Sequence, residues 1–272
     1  MSDSPPHSSS ADAAPILYAV ADGIARIRFN RPAVLNAIDE ATILAFKDAV
    51  ERTAKDPSVR AVVLSGEGRA FLAGGDVGRF HAAGRDAPKV VAAIIEPFHH
   101  AIVALASLHA PVIASLHGAV AGAGLSVALA ADLAIAADDA RFTMAYARIG
   151  TTPDGSGTFS LPRVVGLRKA LELAMLGDVI DAAEALRLGL VNKVVPAAEL
   201  AAETDALACR LAAGPTLAYG RIKHLMRTSF SHTLSEQLHA ERDAFVASAG
   251  SRDFAEGVAA FVEKRAPKFT GG

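Results

Sequence analysis

Two glycine-rich stretches stand where a polypeptide could present unpaired backbone N–H groups to a negatively charged oxygen. Gly66-Glu67-Gly68-Arg69-Ala70-Phe71-Leu72-Ala73-Gly74-Gly75-Asp76-Val77 follows the apolar run 61–65. Gly118-Ala119-Val120-Ala121-Gly122-Ala123-Gly124 follows a second such run, 111–116. Both runs are short, apolar and partly β-branched, as buried strands are. Residues 125–132, beyond the second stretch, are rich in alanine and leucine and contain no breaker, which favours helix. A strand that turns through glycine into a helix leaves the first helical amides without partners. Small side chains keep the space before them open. Such a turn can hold a phosphate, a carboxylate or the oxyanion of a reacting carbonyl; it can also be plain close packing of helix on strand.

Neighbouring residues narrow the choice. A dinucleotide turn needs G-x-G-x-x-G, and Val127 stands where the third glycine belongs. A phosphate loop needs Gly-Lys-Ser/Thr, and no lysine is near. Two such turns side by side could offer one N–H each to a single oxygen. That is the geometry of an oxyanion hole, where losing one donor removes about 3 kcal/mol of transition-state stabilisation.

Asp154 is the only acid between Asp139 and Glu172. Pro153-Asp154-Gly155 is turn chemistry, and aspartate can cap the helix that follows; the same carboxylate could also move a proton. His99 lies beside the stripe Phe98, Ile102 and Leu105, the ordinary setting of a packed or helix-surface histidine.

The elements that must position these residues alternate. Strand 24–29, a helix from Glu40, strand 62–64, a helix near 90–108 and the 111–116 strand predict an α/β protein of stacked β-α turns. After Glu199 the pattern is helical only, with 206–213, 219–227 and 235–264. Helices with apolar stripes and no sheet of their own need a surface to cover, and self-association supplies one. Residues 1–15 are polar and proline-containing, as a disordered tail is, and lack the apolar centre of a secretion signal. The expected division is a tail over 1–15, a core over 16–198 and a helical region over 199–272.

At 272 residues and 51% hydrophobic, the chain can bury a sizeable core. A formal charge of −2 gives no basic excess for nucleic acid. The one cysteine, Cys209, can form no internal disulfide, which fits a reducing cytoplasm. The nine histidines are scattered, so no metal is expected. The apolar region 112–131 is interrupted by His117 and three glycines and reads as core rather than a membrane span.

Arg69-Ala-Phe-Leu-Ala-Gly-Gly-Asp76 and Pro111-Val-Ile-Ala, with His117-Gly118 and Ala121-Gly-Ala-Gly124, resemble the enoyl-CoA hydratase/isomerase (crotonase) superfamily. Asn30-Arg31-Pro32, Asn36-Ala37, Glu184-Ala185, Gly189-Leu190-Val191 and the ending Glu256-Gly257-Val258 to Arg265 are similar to it as well, so the resemblance runs from about residue 16 to 270. It implies a crotonase-like spiral of ββα turns with a C-terminal helical trimerisation region. It implies homotrimers or dimers of trimers, an acyl-CoA substrate, and no cofactor beyond the coenzyme A of that substrate. The thioester oxygen would meet the N–H groups of Gly75 and Ala123, with Ala73, Gly74, Asp76, Ala121 and Gly122 lining the same crossing. Phe261 and Lys264 match positions that reach the CoA of a neighbouring subunit. Read locally, Phe254, Val258, Phe261 and Val262 are an apolar helical stripe with Lys264 solvated beside it. Arg31, Arg79 and Lys264 are the cations expected to meet the anionic CoA.

Members similar to the hydratase carry two glutamates, and the matching residues here are Ser126 and Tyr146. Hydration needs one group to take a proton from water and another to protonate the α-carbon. A serine hydroxyl and a phenol of ordinary pKa about 10 serve poorly near neutrality. The segments around Tyr146, Asp154 and Leu161-Pro-Arg-Val-Val-Gly166 resemble the phenylacetate-pathway ring isomerase branch, whose matching aspartate moves a proton along the acyl chain. That resemblance makes Asp154 the acid/base and puts Tyr146 at the substrate. In the 4-chlorobenzoyl-CoA dehalogenase branch the same aspartate attacks an aromatic carbon and a histidine matching His99 assists. Its aromatic cradle is not reproduced, because Gly75 and Tyr146 replace larger rings. Three readings stand open: an enoyl-CoA isomerase, a hydratase or hydrolase using Asp154 and water, and a non-catalytic acyl-CoA-binding scaffold. The acyl group and the conformation of 77–89 are not legible.

Overall fold

The computed structural model describes residues 14–272; apart from Ala14 and Pro15, the tail expected over 1–15 lies outside the described residues. The chain enters as a hairpin of β1 (Ile16–Ala21) and β2 (Ile24–Phe29), antiparallel and in register from Ile16–Phe29 to Ala21–Ile24. Asp22 and Gly23 between them both have positive φ, the two-residue turn whose twist suits paired strands. The first helix, α1 (Glu40–Lys55), starts where the Asp39 carboxylate accepts the Thr42 N–H at 2.8 Å. It buries Ile43, Phe46 and Val50, one stripe at helical spacing.

Three similar turns follow. Each lays one strand in a large sheet, one short strand in a small sheet, and then helix. They are β3 (Ala61–Gly66), β4 (Ala70–Leu72), α2 (Val77–Ala83) and α3 (Ala87–Ser107); β5 (Val112–Leu116), β6 (Ala119–Ala121) and α4 (Ala123–Ala130); β7 (Leu133–Ala137), β8 (Arg141–Thr143), α5 (Gly157–Val165) and α6 (Leu167–Leu176). Then β9 (Ile180–Asp181), α7 (Ala182–Arg187) and β10 (Lys193–Val195) close the two sheets. Their orders are β1-β2-β3-β5-β7-β10 and β4-β6-β8-β9. This is the expected spiral of ββα turns. From β2 onward the large sheet is parallel; β3 and β5 are buried on both faces, which is why their sequences are unbroken apolar runs. The glycine-rich stretches differ from expectation in one respect. Each passes through a three-residue strand of the small sheet before its helix begins.

Residues 77–89 form α2, a single 3-10 turn and the start of α3. The helical stretch Val77–Ser107 is apolar and long enough to cross a membrane by length and composition. Within the fold, Ile94, Phe98, Ala101, Ile102 and Leu105 of α3 bury one face in the main core.

Beyond residue 199 the helices do not all lack a sheet. In α8 (Leu200–Ala212), Ala208 and Ala212 pack on Ile24, Ala61, Val63 and Ile113, on the outer face of the large sheet. Ser115 and Thr204 join their hydroxyls at 3.0 Å within that contact. Next comes α9 (Thr216–Thr228), anchored by Lys223, whose ammonium lies 2.7 Å from Asp132 and donates to Ala110 O. The helix expected over 235–264 is two helices, α10 (Leu234–Ala249) and α11 (Arg252–Glu263). Gly250 ends the first, and the Ser251 hydroxyl caps the second by accepting the Phe254 N–H. Met226, Phe245, Val246, Phe261 and Val262 of these last helices are exposed.

Candidate active site

The small sheet brings the two glycine-rich stretches together. Ile38 donates to Gly74 O and accepts from the Asp76 N–H, both at 2.8 Å, which makes a parallel bridge between Ile38 and Gly75. The residue between two bonded neighbours turns its own N–H the other way, so Gly75 presents its amide away from Ile38. On the facing stretch, Gly122 has φ 53° and ψ −122°, a conformation open to a residue without Cβ. It swings the chain from β6 into α4 and makes Ala123 the first helical residue. Among the described residues, neither the Gly75 nor the Ala123 N–H has an acceptor. The positive end of the buried α4 adds to the attraction for an anion there.

The two stretches are in contact. A methyl group on Gly74 would lie 3.2 Å from Ala121 O and 3.7 Å from the Ala123 nitrogen. Gly75 and Ala123 line one cavity of about 490 Å³, together with Ala73, Gly74, Gly122, Tyr146 and Asp154. Its other walls are mostly apolar: Ile38, Val77, Phe80, Ile94, Phe98 and Ile149 among them. Phe80 is a residue that the sequence did not single out. Its ring lies 3.0 Å from where a Cβ on Gly75 would stand, so it fills the space beside that amide.

The same cavity is lined by part of a small polar network. The Tyr146 hydroxyl donates to Asp154 Oδ1 at 2.5 Å, and the Ser126 hydroxyl donates to Asp154 O at 2.8 Å. Ser126 and Tyr146, the two positions without glutamate, thus hold the one carboxylate in the cavity. Burial pushes the Asp154 carboxyl above the usual 3.8, while the Tyr146 hydrogen bond and the neighbouring His99 ring pull it back only in part. The Tyr146 phenol is raised, by burial and by the neighbouring carboxylate. It stays protonated and remains a donor. The Gly155 N–H donates to His99 Nε2 at 3.4 Å, which sets the ring of His99 near Asp154, although His99 itself does not line the cavity.

The remaining expected residues lie elsewhere. Asp76 caps α2 by accepting the Arg79 N–H at 3.1 Å, and Ala121 sits in β6 next to Gly122. Arg31, expected to meet CoA, does not line the cavity; its guanidinium lies 3.0 Å from Asp39 and 3.5 Å from Asp76. Arg79 is paired with Glu40 at 2.9 Å. Phe261 and Lys264 lie at the end of α11, outside the cavity. A half-buried carboxylate and two unpaired amides in an apolar cavity are equipped to take a proton from carbon and to stabilise the negative charge that results.

Residues 19–272 match the family described as enoyl-CoA hydratase/isomerase. A probable enoyl-CoA hydratase from Rhodobacter capsulatus is 41% identical over 94% of this chain and 98% of its own. The 1,2-epoxyphenylacetyl-CoA isomerase of Escherichia coli is 37% identical over the same shares. The solved structure of an enoyl-CoA hydratase from Polaromonas superposes with a TM-score of 0.89 at 39% identity, covering 93% of this chain and 99% of that one.

Proposed function

The chain belongs to the enoyl-CoA hydratase/isomerase family, and on that premise we propose that it isomerises enoyl-CoA thioesters with Asp154 as the proton carrier. The observation that carries this reading is a single half-buried carboxylate sharing one apolar cavity with two unpaired amides. The thioester oxygen accepts from Gly75 N–H and Ala123 N–H. Asp154 takes a proton from the α-carbon, and the electron pair of that C–H bond spreads through the dienolate onto the oxygen. Asp154 then returns the proton to the γ-carbon. The double bond moves into conjugation with the carbonyl and the carboxylate is regenerated. Hydration would need a second proton-transfer group, and Ser126 and Tyr146 are committed to holding Asp154.

Mixing the protein with a 3-enoyl-CoA and, separately, a 2-enoyl-CoA tests this. The first should be converted to its 2-enoyl isomer, while water addition to the second stays slow. Hydration of the 2-enoyl-CoA at a comparable rate would contradict it. His99 favours a second reading, water activation for hydrolysis, because its ring adjoins Asp154. His99→Gln keeps isomerisation on the first reading and abolishes hydrolysis on the second.

We further propose a homotrimer or dimer of trimers as the working form, with the exposed apolar residues of the last helices supporting it. Cytoplasmic residence rests on the single cysteine.

A further inference from the structure

The motif Asn30-Arg31-Pro32…Asn36-Ala37 has no place in the proton transfer, yet its side chains enclose the segment that carries the Gly75 amide. Asn36 is fully buried with φ 61°. Its side-chain oxygen accepts the Arg31 N–H at 2.8 Å, and its amide nitrogen donates to the carbonyls of Glu67, Ala70 and Phe71 at 2.8 to 3.1 Å. One face of the 31–36 turn is therefore tied to the start of the first glycine-rich stretch. The Arg31 guanidinium ties the other end: Nη1 donates to Ala37 O at 2.5 Å, and Nη2 reaches Asp39 and Asp76. Ala37 and Asp39 flank Ile38, the residue whose backbone bonds to Gly74 and Asp76 hold Gly75 between them.

Charge argues against a phosphate at Arg31. Arg31 and Arg79 are the two cations of this cluster, and Asp39, Glu40 and Asp76 are its three carboxylates. Burial pushes the Asp39 carboxyl up, but the hydroxyl and N–H of Thr42 and the charge of Arg31 outweigh it, so Asp39 is held below the usual carboxylate range. The cluster is anionic with Arg31 already engaged. A further anion there would meet net repulsion.

The geometry points to Arg31 as a positioning residue that aims the Gly75 amide at the thioester oxygen, rather than as a ligand of the CoA phosphates. This inference rests on the oxyanion role proposed above for Gly75. It does not depend on which reaction follows. Arg31 spans residues on both sides of Ile38 and the residue after Gly75, so removing its guanidinium frees the bridge that fixes the direction of that N–H.

Saturated hexanoyl-CoA, labelled at the thioester carbonyl, is a suitable probe because it has no double bond to move. Isotope-edited infrared spectra of the bound probe report how strongly the two amides polarise the carbonyl. The wild-type protein should lower the carbonyl stretching frequency on binding. Arg31→Met should lose at least about half of that shift, while affinity stays within about twofold and its salt dependence is unchanged. Retention of the full shift with weaker binding and a flatter salt dependence would overturn the inference and make Arg31 a phosphate ligand. A wild-type protein that binds the probe without any shift would overturn the oxyanion reading, and this one with it. Asp76→Asn is the second variant, because asparagine still caps α2 but gives up the charge that Arg31 meets. It should show a smaller loss in the same direction, and should decide the matter if Arg31→Met does not fold. An unchanged shift in Asp76→Asn would then count against the inference.

Discussion

The phenol of Tyr146 donates to Asp154 Oδ1 across 2.5 Å, and among the described residues no other side chain donates to that carboxylate. That hydrogen bond favours the ionised carboxylate, whereas burial favours the neutral acid. Burial wins, and the base works from a pKa above the ordinary aspartate value. It must be ionised to accept a proton, so kcat/KM should fall as pH drops through that raised pKa. Tyr146→Phe removes a hydrogen bond to the charged form and should move the acidic limb to higher pH. A pH–rate profile with the limb unmoved would show that Tyr146 does not set the protonation of Asp154.

The same raised pKa has a consequence for stability. Asp154 binds its proton more tightly in the folded than in the unfolded chain, so stability declines as pH rises from the unfolded pKa to the folded one. At neutral pH the ionised group is a net burden on the fold. Asp154→Asn removes the charge and keeps an acceptor for Tyr146. Urea melts at neutral pH should find the variant at least as stable as wild type, with the advantage fading below the ordinary aspartate pKa. A clearly destabilised Asp154→Asn protein would assign the carboxylate a structural role.

Much of this arrangement was legible in the sequence where a signal was long or chemically specific. The β3 and β5 runs are unbroken because both faces are buried, and the glycine pattern marked the two turns, within which the family resemblance named Gly75 and Ala123. The short strands β4 and β6 were missed because a run of three residues is too short to show a period. Arg31 reads as a free cation, since its partners Asp39 and Asp76 come from separate segments that only the fold brings together. Phe80 was invisible for the same reason: its contact with Gly75 exists only once α2 folds over the cavity. The break between α10 and α11 rests on Gly250 and Ser251, a weak interruption within a long helical pattern.

Close packing at the start of α4 gives another test. A Cβ on Gly124 would stand 2.0 Å from Leu72 O in β4, so Gly124→Ala must push helix and strand apart. Overpacking of this kind costs about 1–3 kcal/mol. Because Ala123 moves with α4, kcat should fall more than affinity. Chemical denaturation and steady-state kinetics measure the two effects, and a variant as stable and active as wild type would show that the α4–β4 contact does not set the cavity.

The last helices expose Phe261 at 86% and Val262 at 74%. Apolar side chains gathered on a surface to this degree mark an interaction site. Light scattering at micromolar concentration should find an oligomer, and Phe261→Asp should shift it toward monomer. A wild-type monomer would remove the assembly, and with it any CoA contact from a neighbouring subunit.

Double-bond migration by Asp154→Asn is the most direct measurement. The substitution keeps size and turn-forming capacity and removes only the proton-accepting charge. Turnover of a 3-enoyl-CoA should fall by at least about 10²-fold, the low end for loss of a general base, with thioester affinity nearly unchanged because Gly75 and Ala123 still donate. An Asp154→Asn protein that moves the double bond at the wild-type rate would contradict the proposed mechanism and return Asp154 to a turn residue.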